Sequence, residues 1–433
     1  MLGEFWHNRS SKGAKDMDLR FRLLAATSIL LIATPASADT VCEWVDFAQA
    51  IEAAAIGPQQ GAVKPSEHAH AQTQVALAMF EALDAIDHRY ESYLGLATAD
   101  PKASQDAAAA TAAYYVLLAH YPSQKAALDE SYAVTMDEIA DARARESGAR
   151  IGKNAAEAAL KAGLIDRTVE QIPYLPAAQA GVWVPTQLPV FDPSTIAFKP
   201  WIMDRADSVR PGPPPSLGSE VWARDYAEVK ELGAKDSKVR TPHQTLMARY
   251  RITPNMMPSY RIAADMPGRS PVQNARMFAM LGMINDDGTV AIADAKLHYN
   301  FWRPITAIRN GDKDGNDATA PDRAWEPLIP TPNHPEYPCG HCIFAAATAE
   351  FMKAEVGNAP SWGVRVASRS IPNAAVQVLS SWDEWARQVS FSRTLGGVHY
   401  RFSNEAAEKM GREIARIALT KVMRPLPKAR KRA

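Results

Sequence analysis

Three short stretches hold the residues whose types and spacing could do chemistry. Lys296-Leu297-His298-Tyr299-Asn300-Phe301-Trp302-Arg303-Pro304 carries two cations seven positions apart. Pro338-Cys339-Gly340-His341 places a histidine behind a glycine, and Ser392-Arg393-Thr394-Leu395-Gly396-Gly397-Val398-His399 adds a third cation and a second imidazole. A tetrahedral or trigonal-bipyramidal oxyanion needs convergent donors that keep their charge; Arg303 and Arg393 can grip it bidentately and Lys296 can act as a point charge. Gly340 at a helix start could offer a backbone N–H with no side chain in the way, helped by the helix dipole. His341 and His399 bring the near-neutral pKa that acid/base or nucleophilic work requires. Each stretch alone has a blander reading, since a Lys and Arg on a helix form a solvated face and a single His is usually structural. It is the combination that points to an oxyanion.

In this order, K-x6-R-P, P-x-G-H and S-R-x5-H resemble the three-part signature of the vanadium haloperoxidase and type 2 phosphatidic acid phosphatase superfamily. The resemblance extends to Ala293-Asp294-Ala295 and to Pro330-Thr331-Pro332-Asn333-His334-Pro335-Glu336-Tyr337, is strongest to the bacterial haloperoxidase branch, and spans roughly residues 46–418. It implies a vanadate cofactor held by Lys296, Arg303, Cys339, Gly340, Arg393 and His399. His399 would bond the vanadium, and His341 would be the acid/base. Bound vanadate would act as a Lewis acid that makes hydrogen peroxide electrophilic toward a halide. The alternative that the superfamily implies puts phosphate in the same shell, with His399 attacking a phosphate ester to give a phosphohistidine. The Pro-rich stretch between Arg303 and Pro338 resembles the haloperoxidase branch.

Two departures from the family pattern carry consequences. Cys339 stands where the family usually has Ser, and a thiol is a poorer donor and is oxidisable. Ser403 stands where an acidic residue often follows the last histidine by four, so orientation of the His399 ring must be weaker or come from elsewhere. Cys339-Gly340-His341-Cys342 also reads as a C-x-x-C pair of thiol-disulfide chemistry, but without the β-rich context of that class. A disulfide there that tunes the oxyanion site is a further reading, and a catalytically silent oxyanion-binding protein is a third class.

The elements that must position these residues read as all-α: two helical bundles joined by a long Pro-rich irregular crossover. Residues 1–38 read as an export signal, with Arg20 and Arg22 before an apolar run from Leu23 to Thr34 and Ala36-Ser37-Ala38 at the end; Met17 is a second plausible start. A periplasmic or secreted protein follows from that reading. The N-terminal bundle spans 39–172, with helices expected over Cys42–Ala55, Ser66–Leu94, Ser104–His120, Ser123–Glu146 and Ala155–Ala162. His68 and His70 fall on different helix faces and read as surface histidines. The crossover, 173–222, has ten prolines between Pro173 and Pro215, and Val209–Pro215 reads as polyproline II.

The catalytic bundle spans 223–423, with helices over Ala223–Leu232 and Pro242–Arg249. Next come a helix from Ser270-Pro271 to Leu281, a turn at Asp286-Asp287-Gly288, and a second helix from Val290 that carries both Lys296 and Arg303. Two turns apart, their side chains would share a face about 10 Å apart unless Pro304 kinks the helix or starts a new segment. Helices over His341–Val356, Pro372–Val389 and Asn404–Met423 follow, the last capped by Ser403. Asp312, Asp314 and Asn316 imitate the start of a calcium loop, but Asp317 and Arg323 fill its sixth and twelfth positions.

The chain of 433 residues has 48 cations and 48 acids, and 47% hydrophobic residues, ample for a large core. Removing residues 1–38 leaves 43 cations against 45 acids, which gives bulk electrostatics no case for nucleic acid. No stretch after residue 38 reaches about 18 apolar residues, so no membrane insertion of the mature chain is expected. Residues 424–433 form a basic tail read as a frayed, solvated end. The partners implied are small molecules, namely peroxide and halide or a phosphate ester; a homodimer is compatible with all of this. Cys42 is the unpaired third cysteine, and no lipid-attachment pattern precedes it.

Overall fold

The computed structural model describes residues 39–55, 65–165, 177–187, 199–371 and 373–427. The signal-peptide reading of 1–38 therefore lies outside the described residues, as do parts of the crossover and the last six residues of the basic tail.

Among the described residues the chain is all-α, with thirteen helices and three short strands. The Ala-rich N-terminal part folds as α1 (Thr40–Ala55), α2 (Pro65–Asp87), α3 (Gln105–His120), α4 (Lys125–Asp137) and α5 (Ala142–Ala162). Asp141 separates α4 from α5 by accepting the N–H groups of Arg143 and Ala144, so the expected helix through Glu146 is broken there. Helix α3 is buried almost all round, with Ala107 through Ala113 in the interior, as a helix without a polar face must be. His68 and His70 are buried, not on the surface: His68 Nδ1 lies 2.8 Å from the Tyr121 hydroxyl, and His70 bonds at both ring nitrogens.

The C-terminal part continues with α6 (Glu220–Leu232), α7 (Pro242–Tyr250), α8 (Met257–Ala264), α9 (Pro271–Tyr299), α10 (Pro304–Arg309), α11 (Gly340–Val356), α12 (Trp382–Leu395) and α13 (Arg401–Lys421). Strands β1 (Pro254–Asn255), β2 (Val364–Ser368) and β3 (Gln377–Leu379) form an antiparallel sheet in that order, Pro254 opposite Ser368 and Val364 opposite Leu379. One core runs from Val41 to Met423, because α9 packs on α2 as well as on α11, and α11 packs on α12 and α13.

Helix α9 corrects the expected turn. Asp286, Asp287 and Gly288 lie inside one continuous helix, and the acids are buried because they anchor the crossover. The Asp287 carboxylate accepts the N–H groups of Trp201, Ile202 and Met203, and Asp286 accepts the Trp201 indole. Gly288 is there for packing, since a Cβ would stand 3.2 Å from the Phe344 ring of α11. The helix stops at Asn300, which takes the left-handed conformation at φ 43°, so Arg303 leaves it and precedes Pro304 at the start of α10. Two other helix readings shift. Val376–Leu379 prefers β-structure, and α12 begins only after Ser381 caps it by accepting from Glu384 N–H. Helix α13 begins at Arg401, leaving Ser403 buried inside it and not at its cap. The basic tail starts tied down: Arg424 pairs with Glu91, and Leu426 N–H bonds Arg89 O.

Candidate active site

All three stretches meet where the end of α9, the start of α11 and the turn after α12 converge against an aromatic cluster. Phe301 and Trp302 precede Arg303, Tyr337 precedes Pro338, and Tyr400 and Phe402 follow His399. All five rings belong to one buried cluster with Trp222, Tyr226 and Trp325. Burying so many large rings together fixes the three backbones relative to one another, which a charged site cannot do for itself. Gly397, at φ 76°, makes the turn that brings His399 inward, and a Cβ there would collide with Gly233 O at 2.5 Å.

Arg303 is wholly buried and holds two histidines. Its Nη1 lies 3.1 Å from His399 Nε2 and donates to Val398 O, while its Nη2 lies 2.9 Å from His334 Nδ1 and its Nε donates to His334 O. A guanidinium can only donate, so His399 Nε2 carries a lone pair. The other ring nitrogen, Nδ1, lies 2.6 Å from Glu336 Oε1, which also accepts the Tyr400 N–H. His399 is thus a neutral ring with its proton on Nδ1. Burial pulls its pKa well below the ordinary 6.5, and the charges of Arg303, Lys296 and Arg393 pull it further.

Lys296 is placed differently from the sequence expectation. Its ammonium donates to Pro335 O, Glu336 O and Pro338 O at 2.8, 2.7 and 2.6 Å, which uses all three of its protons. It contributes field to the site, and it pins the segment that carries Glu336 and leads into α11. Arg393, in the last turn of α12, is 2% exposed, and its Nε and Nη1 have no hydrogen-bond partner. Burial lowers its pKa to about 9. Unpartnered guanidinium N–H groups in a buried site are costly unless a ligand takes them up.

Gly340 is the first residue of α11, and a Cβ on it would find only Ile292 Cγ1, at 4.0 Å. There is room at that helix start for a group accepting backbone N–H bonds. Cys339 and Cys342 form a disulfide at this start, both sulfurs buried, and Cys339 Sγ accepts the Cys342 N–H. A disulfide sulfur has no hydrogen to donate, so Cys339 supplies no side-chain donor to an anion. Burial also keeps a second thiol away from it, which argues against thiol-disulfide exchange. His341 Nε2 lies 2.9 Å from Ile252 O. Its pKa falls to about 3, through burial first and then Arg393, Arg303 and Lys296. It borders a cavity of about 690 Å³ whose walls include Met256, Met257, Tyr260, Phe344 and Trp385.

Lys296, Arg303 and Arg393 bring three cationic groups to this buried site against one acid, Glu336, whose pKa burial raises to about 7 and whose ionised form Arg303 and Lys296 favour. Burial also lowers the Lys296 pKa, but its ammonium keeps three carbonyl acceptors. The donor set and its excess charge fit a dianionic oxyanion such as hydrogen vanadate or hydrogen phosphate. Glu336 and His334 are the site residues that the sequence reading did not assign, although both fall within the flanking stretch it quoted; charged and imidazole groups among four prolines were the available signal. Among the described residues no cluster of three or more His, Cys, Asp or Glu could hold a metal cation, and no helix is long and apolar enough to cross a membrane. In the calcium-like loop, Asp314 accepts from the Trp222 indole and Asp312 pairs with Arg323.

Residues 276–428 match the family model described as the VCPO second helical-bundle domain. The fold is similar to that of a bacterial vanadium-dependent iodoperoxidase, with a TM-score of 0.73 and 19% identity over 90% of this chain and 98% of that one. It is also similar to a bacterial vanadium-dependent chloroperoxidase in its holo form, with a TM-score of 0.65 and 19% identity over 85% of this chain and 94% of the other. The apo form of such a chloroperoxidase gives a TM-score of 0.64 and 17% identity, over 83% and 94%. At these identities the likeness is one of fold. No curated protein matches the chain by sequence.

Proposed function

We propose, from the match of residues 276–428 to the model of the VCPO second helical-bundle domain and from a fold similar to that of a bacterial vanadium-dependent iodoperoxidase, that the protein is a vanadate-dependent peroxidase that uses hydrogen peroxide to oxidise halides. The observation that carries the reading is the pair of buried, unpartnered Arg393 N–H groups together with a histidine whose Nε2 carries a lone pair, met only by the Arg303 guanidinium that would itself turn to a bound anion. Arg303, Arg393 and the Gly340 end of α11 would hold the vanadate oxygens, with His399 Nε2 on the vanadium. Bound there, vanadate supplies a Lewis acid for peroxide.

The rest falls to the chain's own residues. His341, neutral at working pH, would accept a proton from peroxide and, once protonated, would serve as the acid of the site. A bound dianion offsets the cations that depress its pKa, and so brings it toward the range where both transfers are efficient. Lys296 holds the 335–338 backbone, and the aromatic cluster keeps bulk water from the far side of the ring. Peroxide and halide reach His341 through the bordering cavity.

A second reading, a phosphatase in which His399 Nε2 attacks a phosphate ester, draws on a different observation. Met256, Met257, Tyr260 and Trp385 line the cavity, and an oxidant released into it would attack the methionines first. One assay pair separates the two: halide oxidation with peroxide and added vanadate, and phosphate-ester hydrolysis without vanadate. We expect the first; hydrolysis with no peroxidase activity reverses the assignment. The Cys339–Cys342 disulfide also supports work outside the reducing cytosol, which N-terminal sequencing of exported protein, expected to begin near Asp39, would test.

A further inference from the structure

We propose that Glu336, arriving from the segment before α11, is the positioning residue that sets the tautomer of His399 and thereby makes its Nε2 a ligand or nucleophile. The proposal rests on the oxyanion-site reading above only for what Nε2 then does; the tautomer itself is a property of the free protein.

The geometry gives the carboxylate one job. Oε1 is 2.6 Å from His399 Nδ1 and 3.3 Å from the Tyr400 N–H, so the same oxygen accepts from two consecutive residues and fixes the ring relative to its own backbone. The opposite ring nitrogen faces Arg303 Nη1 at 3.1 Å, which can only donate. Both neighbours therefore demand the same tautomer. Without the carboxylate, the 3.1 Å contact with Arg303 is all that opposes a proton on Nε2, where it would block any bond to a central atom.

Glu336 is itself held in place. Its N–H donates to Phe301 O, its carbonyl accepts from Lys296, and the carboxylate is completely buried. Such investment in a single acid, among three buried cations, is hard to explain by stability alone, because one carboxylate cannot neutralise them. The Ser403 side chain is also buried, one turn of α13 beyond Tyr400, and its hydroxyl is among the groups that act on the Glu336 carboxylate. A carboxylate placed at 403 would therefore stand near the position of the Glu336 carboxylate if residue 336 were cut back.

That juxtaposition supplies the test. Glu336→Ala, Glu336→Leu and the double variant Glu336→Ala with Ser403→Asp are compared with the wild type by calorimetric titration with vanadate and tungstate. In parallel, the anion-free proteins are examined by 15N NMR of the His399 ring. Removal of an outer-shell carboxylate is expected to weaken anion binding about 10- to 100-fold. The NMR signature should move from the Nδ1–H tautomer toward Nε2–H, and Ser403→Asp should restore both in the Glu336→Ala background. Glu336→Leu keeps the bulk but offers no acceptor, so it reads the tautomer even if Glu336→Ala folds poorly. Unchanged affinity and an unchanged Nδ1–H signature in Glu336→Leu would overturn the proposal, as would a folded double variant with no recovery. If the wild type binds neither vanadate nor tungstate, it is the oxyanion reading that falls, while the NMR arm still decides the tautomer.

Discussion

His70 and His399 are both buried imidazoles whose Nδ1 meets a carboxylate, 2.8 Å from Asp286 and 2.6 Å from Glu336. They differ at the other nitrogen. His70 Nε2 lies 2.7 Å from Gly163 O, an acceptor, so the ring donates at both ends and is held as a cation. Burial alone would lower its pKa, but the bond and charge of Asp286, with the Gly163 carbonyl, raise it on balance. His399 Nε2 faces a guanidinium, the surrounding charges are positive, and the ring is held neutral. The partner of the second nitrogen thus decides whether a buried His–carboxylate pair ties segments together or presents a lone pair for chemistry. His70 joins α2, α9 and the turn after α5; His399 is left with a nitrogen to offer.

The largest effects should come from exchanging these roles. His399→Ala is expected to abolish both turnover and vanadate binding while the folded structure persists. His70→Ala is expected to do the reverse, costing about 3 kcal/mol or more because it leaves the buried Asp286 with the Trp201 indole but without its counter-charge, with turnover retained by the folded fraction. Thermal melts and peroxidase assays on the two variants check this together; loss of stability in His399→Ala comparable to that in His70→Ala would erase the distinction. Next in size is His341→Ala, which should lower turnover about 10²- to 10⁴-fold, the range for a general acid/base, with vanadate affinity, read by calorimetry, much less affected.

The two pairs were unequally legible in the sequence. The chemistry-bearing residues around His399 could be read because Lys296, Arg303, His341, Arg393 and His399 sit in short patterns that only make sense jointly. Glu336 could not be assigned, because the carboxylate reaches the ring from 63 residues away in sequence and no local spacing encodes that. His70 reads as a surface residue from sequence for the same reason: its partners, Gly163 and Asp286, come from distant segments. Sequence alone predicts two helices in place of α9, because Asp-Asp-Gly is a turn signal in isolation. Here tertiary contacts with residues 201–203 and Phe344 made two buried acids and a glycine the right residues for a helix interior. For Lys296 the residue pattern suggests a direct anion contact, whereas its ammonium donates to three backbone carbonyls, which are invisible to residue patterns.

Titration should separate the pairs by sign. The folded pKa of His70 lies above the ordinary 6.5, so its contribution to stability is complete below about pH 6.5 and is lost as the pH rises through the folded value. His341, depressed to about 3, contributes stability that is present above 6.5 and is lost as the pH falls toward 3. Melting curves from about pH 5 to pH 9 should therefore show His70→Gln closing on the wild type at the alkaline end and His341→Asn closing on it at the acidic end. A constant offset for either variant across that range would remove the titration argument for that residue.

The smallest expected effect concerns the cap of α11, where the active-site side of the comparison is built on a disulfide in place of a hydroxyl. Cys339 and Cys342 are three apart in sequence, so the closed loop is short, and a chain-entropy estimate puts its stabilisation at about 2 kcal/mol. Cys339→Ser gives up that contribution but returns a side chain that can accept the Cys342 N–H as a helix cap and donate to an oxyanion oxygen. If the bridge serves only to hold the helix start, Cys339→Ser should melt somewhat lower and keep or raise peroxidase turnover, and Cys339→Ala should melt lower with no gain. Residual binding in both should depend on His399, whose lone pair owes nothing to the bridge. Loss of turnover in Cys339→Ser and Cys342→Ser alike, with His399→Ala still active, would instead assign the chemistry to the sulfurs and not to the imidazole.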